Sequence, residues 1–384
     1  MTSEIKNLEK AATRIKEAVK RKEKIIIYGD ADLDGVTSAI ILKETIKNLG
    51  GKVTDVYFPD REKEGYGINK RALNFLSKFA PALLITVDSG ITNFVEVKIA
   101  KEKGFEVIII DHHETLGKIP EAQIVVDPKQ KSDNYPFKQL AAAAVVFKVS
   151  EKILGGKSMG SLKNSFLELV AVATIADMMP EIDENKRFIE DGLNSLGKTW
   201  RPGLKVFLDI YSNKTRSIRE TAQKIISVLN SGQTPLNIHE SYLLLTSPSE
   251  KEAKKMAIFL ANRAVRKKTQ LKEINESLAI KASKQTKNPI IFEGSSKWKV
   301  AMLGPIASKL CNVSKRPTFI FKKFRAESQC AIRTPKGING MEALINCQKF
   351  LESFGGHPQA AGFRIKNKNL KKLEKCLVQY FKEK

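Results

Sequence analysis

Three aspartates at alternate positions, Asp30, Asp32 and Asp34, follow the apolar run IIIYG at 25–29 and precede Gly35 directly. Carboxylates this close repel one another, and a cation makes such a cluster tolerable. Acids at positions 1, 3 and 5 with glycine at 6 would open an EF-hand calcium loop. The twelfth position, however, is Ile41 rather than a bidentate Glu, and the preceding segment is strand-like. The cluster therefore reads as a metal site at a strand-to-helix turn, with Gly35 relieving the tight backbone. Other acids share this placement. Asp88 follows LLITV, although taken alone it also reads as a helix N-cap. Asp111, His112 and His113 follow VIII, so two of the four histidines are adjacent. Asp177 closes the apolar run SFLELVAVATIAD, where the negative end of a helix disfavours an acid. Carboxylates with an imidazole suit Mn²⁺ or Mg²⁺ better than a thiolate-loving ion. Carboxylates that can bridge point to two ions, an arrangement that activates water and stabilises the leaving oxygen in phosphoester hydrolysis.

The elements that must position these residues alternate. Strand-like runs fall at 25–29, 53–58, 83–87, 106–110 and 124–126, with helical patterns near 36–48, 69–79 and 93–103. Apolar strands alternating with helices imply a parallel sheet covered on both faces, with ligands beyond the carboxyl ends of the strands. From about 139 to 245 the pattern is helical. Residues 247–284 read as one long basic helix with a Met256, Phe259, Leu260 stripe. Residues 289–384 return to mixed α/β, with strands near 289–292, 298–302, 317–321, 327–332 and 361–366 and a closing helix at 368–382. The expected division is a catalytic domain at 1–246 that includes an N-terminal helix, a connecting helix at 247–286 and a smaller domain at 287–384.

The chain has 384 residues and is 42% hydrophobic, enough for two or three packed domains. No apolar run reaches 18 residues, and the N-terminus is a charged amphipathic segment, so neither a membrane span nor a secretory signal is expected. Four cysteines without a CxxC spacing read as free thiols of a cytoplasmic protein. Lys+Arg 66 against Asp+Glu 42 gives +24, a field that attracts polyanions, nucleic acid first. The bland alternative is the basic surface coat of a lysine-rich proteome.

DADLDG, VDSGIT, DHH and IADMMP, in that order, resemble motifs I to IV of the DHH phosphoesterase superfamily. FPDREKEGYG (58–67) is similar to a segment of its RecJ branch, and SFGGHPQAAGFRI (353–365) resembles the GGH motif of the DHHA1 substrate domain. The resemblance covers about 24 to 380. It implies an α/β DHH domain with a helical subdomain, a connecting helix and a smaller DHHA1 domain, with the active site in the cleft between domains. It implies two Mn²⁺ ions, or Mg²⁺, on Asp32, Asp34, Asp88, His112 and Asp177. Asp30 becomes an auxiliary acid or weaker ligand, Asp111 orients the histidines, and His113 contacts the scissile phosphate. Arg61, Arg333, Gly355, Gly356 and His357 would hold substrate phosphates. His239 lies outside every motif and reads as an ordinary residue.

Two departures stand out. Residues 141–144 are all alanine where relatives carry Gly-Ala-Gly, and Gln233 stands where an arginine is usual. The length also leaves no room for the OB-fold of many bacterial RecJ proteins, so a minimal DHH–DHHA1 core is expected. The implied function is a RecJ-like exonuclease on single-stranded DNA or RNA, working with replication or repair proteins and without a membrane. One alternative is a short-substrate phosphoesterase: an oligoribonuclease, a 3′-phosphoadenosine phosphate phosphatase or a cyclic dinucleotide phosphodiesterase. Another is a Cdc45-like replisome component, although such proteins lose metal ligands that this chain keeps.

Overall fold

Branched apolar runs make the first sheet, and both of its faces are covered. The computed structural model describes residues 4–115, 117–155, 159–211, 214–283 and 288–383. It divides into two compact units, Met1–Ala264 and Val265–Lys384. In the first unit, helix α1 (Leu8–Lys20) precedes strand β1 (Ile25–Gly29), α2 (Leu33–Asn48), β2 (Val53–Tyr57), α3 (Lys70–Leu76), β3 (Ala82–Val87), α4 (Phe94–Glu102), β4 (Phe105–Ile110) and β5 (Ile124–Val126). The strands pair in parallel in the order β2-β1-β3-β4-β5. The winding reverses between β1 and β3, and that switch point is where such sheets bind ligands.

Strand residues alternate between two cores. Ile25 and Ile27 join the cluster beneath α1 and α2, whereas Ile26 and Tyr28 join the one beneath α3 and α4. The helical remainder packs on the first of these faces: α5 (Ala142–Leu154), α6 (Ser161–Ala176), α7 (Asp183–Leu196), α8 (Pro202–Tyr211), α9 (Ile218–Leu229) and α10 (Glu240–Leu245). Helix α11 (Glu250–Ser283) is the long basic helix. Its first half buries Ala253, Ala257 and Leu260 in the same core.

The second unit contains β6 (Ile291–Ser295), α12 (Val300–Ser314), β7 (Thr318–Lys323), β8 (Glu327–Arg333), α13 (Gly340–Asn346), β9 (Ser353–His357), β10 (Ala360–Lys366) and α14 (Leu370–Glu383). Its sheet runs β6-β7-β8-β10-β9, antiparallel except for the parallel β6–β7 pair. Two expectations are corrected here. No strand forms at 298–302; that stretch enters α12, whose Pro305 lies inside the helix and disguises it in the sequence. Cys347 and Cys376, 29 apart, form a disulfide, so only Cys311 and Cys330 are free thiols, both buried. The bond joins the C-cap of α13 to α14, a pairing that no local spacing announces. No helix among the described residues is long and apolar enough to cross a membrane.

Candidate metal centre

The strand-end acids are placed by the ladder itself. Asp30 N–H donates to Val87 O, Asp88 N–H to Ile110 O and Asp111 N–H to Val126 O, each one residue past a strand. Three carboxylates are thereby delivered side by side at the carboxyl edge of the sheet. Gly35 is required here: a Cβ would lie 2.3 Å from Asp30 O, so only glycine lets α2 begin this close to the loop. Asp32 caps α2 by accepting from Gly35 N–H at 3.1 Å. A strand leads into this turn and the ligands scatter across the sheet edge, so the geometry is not that of an EF-hand. Asp88 does not cap α4, whose N-cap is Asn93. It adopts φ 59, a left-handed conformation sparsely used by non-glycine residues and concentrated at functional sites.

His112 sits at the centre of the acids. Its Nδ1 lies 2.9 Å from Leu140 O, an atom that can only accept, so Nδ1 carries the hydrogen. Nε2 then turns to Asp88 Oδ1 at 3.2 Å and to Asp34 Oδ2 and Asp177 Oδ2 at 3.7 Å each. Groups of mutually close ligand atoms in this unit include Asp34/His112/Asp177, Asp30/Asp32/Asp88 and Asp88/Asp111/His113, with the atoms of each group within 4.8 Å of one another. Asp177 Oδ2 is buried without a hydrogen-bond partner. A backbone-held histidine, an orphaned carboxylate oxygen and an oxygen-rich set fit one or two hard divalent cations.

The electrostatics agree. Burial, then the neighbouring acids, push Asp34 and Asp88 well above the usual carboxylate range. Asp177 is pushed up to about 7 by burial and then by Asp32. Asp34 is held by backbone: Oδ2 accepts from Ala142 N–H at 2.7 Å and Oδ1 from Ala143 N–H at 2.8 Å. The alanine run at 141–144 therefore keeps its backbone contact without glycine. Asp111 takes the orienting position, accepting from Ile91 N–H at 3.0 Å, His112 N–H at 2.8 Å and His113 Nδ1 at 2.8 Å. Burial opposes a charge on His113, but Asp111 outweighs it and raises the imidazole to about 9.

Arg61 is placed on the acids themselves. Its Nη2 lies 2.6 Å from Asp30 Oδ2 and 2.9 Å from Asp32 Oδ2, and its guanidinium stacks 4.2 Å from the Tyr66 ring. Tyr28 O–H donates to Gly67 O at 2.7 Å, which ties the GYG segment to β1. Gln233 is held through its backbone, donating N–H to Glu240 Oε2 at 2.8 Å. His239 is buried, and its Nδ1 accepts from Ser241 N–H at the start of α10. One residue was missed in sequence. Asp127 follows β5, is fully buried with Oδ2 unpartnered, and is pushed up to about 7 by burial and then by Asp111. Its signal, IVVD, is the same strand-then-Asp pattern as the others.

In the second unit, Arg333 and His357 both lie opposite Ala360, one on each flanking strand. Directly opposite residues share a face, so arginine, alanine and histidine form one row across three strands. Arg333 Nε donates to Ser308 Oγ at 3.0 Å and Nη1 to Ile332 O at 2.7 Å. Gly356 has φ 132, and a Cβ there would lie 2.5 Å from Ala360 O, whereas a Cβ at Gly355 would meet open space. The hairpin therefore turns its histidine beside exposed backbone.

Comparison with known proteins follows this division. The DHH family, N-terminal domain, matches residues 24–174, and the DHHA1 domain matches 287–383. The single-stranded-DNA-specific exonuclease RecJ of Bacillus subtilis is 35% identical over 97% of this chain and 48% of its own length. The Thermus thermophilus protein of the same name is 28% identical over 94% of this chain and 52% of its own. The chain thus spans about half the length of these curated relatives. A crystal structure of exonuclease RecJ bound to manganese superposes with TM-score 0.80 at 25% identity, covering 100% of this chain and 96% of that one. With a DHH domain followed by a DHHA1 domain and this degree of likeness to RecJ proteins, the chain belongs to the DHH superfamily as a RecJ-like member.

Proposed function

We propose that the chain is a metal-dependent phosphodiester hydrolase of the RecJ kind, removing nucleotides from one end of single-stranded DNA or RNA. The observation that carries this is His112, whose Nε2 is turned at 3.2–3.7 Å to three carboxylates while Nδ1 is held by Leu140 O. Asp32, Asp34, Asp88, His112 and Asp177 would hold two divalent ions, Mn²⁺ as in the related crystal structure, or Mg²⁺. Such ions, when bound, activate water and stabilise the leaving oxygen of a phosphodiester. The remaining roles fall to the chain's own side chains. Asp30 pairs with Arg61 and sets the charge beside the ligands. Asp111 fixes His112 through its N–H and His113 through its ring, so that His113 meets the phosphate in one orientation. Arg61, partly exposed, has a guanidinium edge to offer a substrate phosphate. Arg333, with a planar fork suited to phosphate oxygens, and His357, beside the backbone of Gly355 and Gly356, hold phosphates from the second unit. The same reading puts the chain in the cytoplasm, with replication or repair proteins as its protein partners.

The test offers the purified chain, with Mn²⁺, an end-labelled single strand, a dinucleotide and 3′-phosphoadenosine phosphate. Stepwise release of mononucleotides from the strand is expected. Hydrolysis confined to the small compounds would replace this reading with the short-substrate one. Inertness towards all three would leave a Cdc45-like scaffold.

A further inference from the structure

The first half of α11 lies within the first unit and shows two opposite faces. Inward, Ala253, Ala257 and Leu260 are at most 1% exposed. Outward stand Lys251, Lys254 and Lys255 with one acid, Glu252, among them, then Ile258 at 47% and Phe259 at 56% exposure. Among the described residues these three lysines make no ion pair, so their charge is not spent within the unit. Phe259 does not swing at random: the Arg263 guanidinium lies 4.6 Å from its ring centre and is itself ion-paired to Glu240. An exposed aromatic is thus propped up with one face towards solvent, about 12 Å along the helix from Lys251.

A groove of about 660 Å³ runs beside the start of this helix, against α8. Val206 and Ile210 supply apolar wall, and Lys214, Lys251 and Lys254 supply cations. Its two acids are Asp209 and Glu250, the latter bound to Lys205 at 2.6 Å, so three lysines outnumber the acids along the groove. Lysines in the two helical turns before an exposed, oriented ring supply the two components of sequence-tolerant single-strand binding: phosphates track the charge while a base stacks on the π-face. A face that only keeps the helix in water needs charge alone and gains nothing from Ile258 and Phe259.

We infer that the outward face of α11, from Lys251 to Phe259, together with the groove beside α8, is a secondary track for single-stranded nucleic acid, built from residues other than those of the acid centre. This rests on the reading of the chain as a single-strand hydrolase and says where a long strand is held beyond the nucleotide being cut. The track binds by phosphate charge and stacking, so it does not select sequence. A substrate of only a few nucleotides does not reach it.

The test compares the full chain with Phe259→Ala and with the double variant Lys251→Gln/Lys255→Gln. Anisotropy of a labelled homopolymer of about 20 nucleotides, without metal, reads binding, and hydrolysis of a tetranucleotide with Mn²⁺ reads the centre. Phe259→Ala is expected to weaken long-strand binding about 5- to 100-fold, the value of one lost base stack. The double variant is expected to reduce the slope of log affinity against log salt by about 1.4, or about 0.7 for each lost phosphate contact. Tetranucleotide turnover stays as in the parent chain for both. Unchanged long-strand affinity and slope in both variants overturns the track. Inertness of the parent chain on the tetranucleotide and on the long strand overturns the proposed hydrolysis instead, and the binding arm still judges the track.

Discussion

His112 carries the reading of the acids as a metal centre. With Nδ1–H held by the Leu140 carbonyl, its Nε2 lone pair meets the buried Asp34 and Asp88 and the half-buried Asp177. Such a centre is destabilising until a cation enters it, because like charges and desolvation add. Asp88→Asn tests this, since asparagine tolerates the left-handed backbone that Asp88 occupies. Without metal the variant is expected to melt a few degrees higher than the parent, for a gain of about 1–3 kcal/mol. Mn²⁺ is expected to raise the parent's melting temperature by binding only the folded state and to move the variant barely. Turnover falls by about 100-fold or more. A lower melting temperature without metal would show that the acids do not strain the fold. At this scale the sequence was readable because the chemistry sits at strand ends. Asp30, Asp88 and Asp111 could be recognised from the apolar runs before them. Asp127 was available by the same rule, but with no histidine or glycine beside it the pattern IVVD looked like a loop. The αL backbone of Asp88 is a tertiary outcome, which is why a helix cap remained open for it.

Elements do the holding. Asp34 accepts from the first two amides of α5, so the helix N-terminus steadies one wall of the centre. Ala142→Pro removes one of these donors where proline is tolerated, at the first helical position, and Ala141 already has the extended backbone that must precede it. Helix content should stay constant while the Mn²⁺ concentration for half-maximal activity rises. A hydrogen bond to a charged acceptor contributes about 1.5–3 kcal/mol, so the rise is expected near 10- to 100-fold. An unchanged metal requirement would mean that Asp34 is held by packing alone. His239 plays the comparable part for α10. Burial, then Arg61, lower it to about 4 from 6.5, against opposing pulls from Asp32 and Glu240, with Arg263 adding a smaller lowering. Above pH 6.5 neither folded nor unfolded chain protonates it, and its contribution is complete. As pH falls from 6.5 towards 4 the unfolded chain takes up a proton that the folded one refuses, and about 3 kcal/mol of stability is lost. His239→Gln, which keeps an acceptor for Ser241 N–H, should flatten the stability profile in that window relative to the parent. Equal slopes for both chains would remove His239 as the cause. Strands of the first sheet were legible nearly to the residue, because valine and isoleucine runs bounded by aspartate have few other readings. The second sheet was less so. β9 carries Gly355 and Gly356, which weaken any strand signal, and α12 hides behind Gly304 and Pro305. The Cys347–Cys376 bond depends on how α13 and α14 meet, which no periodicity encodes.

At the scale of the whole molecule, charge is sorted. The chain carries +24, yet a small cluster of buried and half-buried acids, Asp30, Asp32, Asp34 and Asp88 among them, gathers at the sheet edge of the first unit, where we propose that cations bind, and the net positive charge elsewhere suits a polyanion. The second unit has no comparable acid cluster among its described residues and instead presents Arg333 and His357 in one row, separated by the small Ala360. We expect the two units to divide the reaction, with metal held by the first and substrate phosphate gripped by the second. Arg333→Ala is the discriminating variant. Loss of a bidentate, charge-assisted contact should raise KM for a single strand about 10- to 100-fold. The Mn²⁺ concentration for half-maximal activity should stay unchanged, because Arg333 donates to Ser308 and Ile332 while the proposed ligands Asp32, Asp34, Asp88, His112 and Asp177 all belong to the first unit. Arg333→Lys should restore little, since an ammonium supplies charge without the planar fork. Full recovery by lysine would reduce the contact to simple charge. A shift in metal requirement at constant KM would move Arg333 from substrate to metal and undo the division.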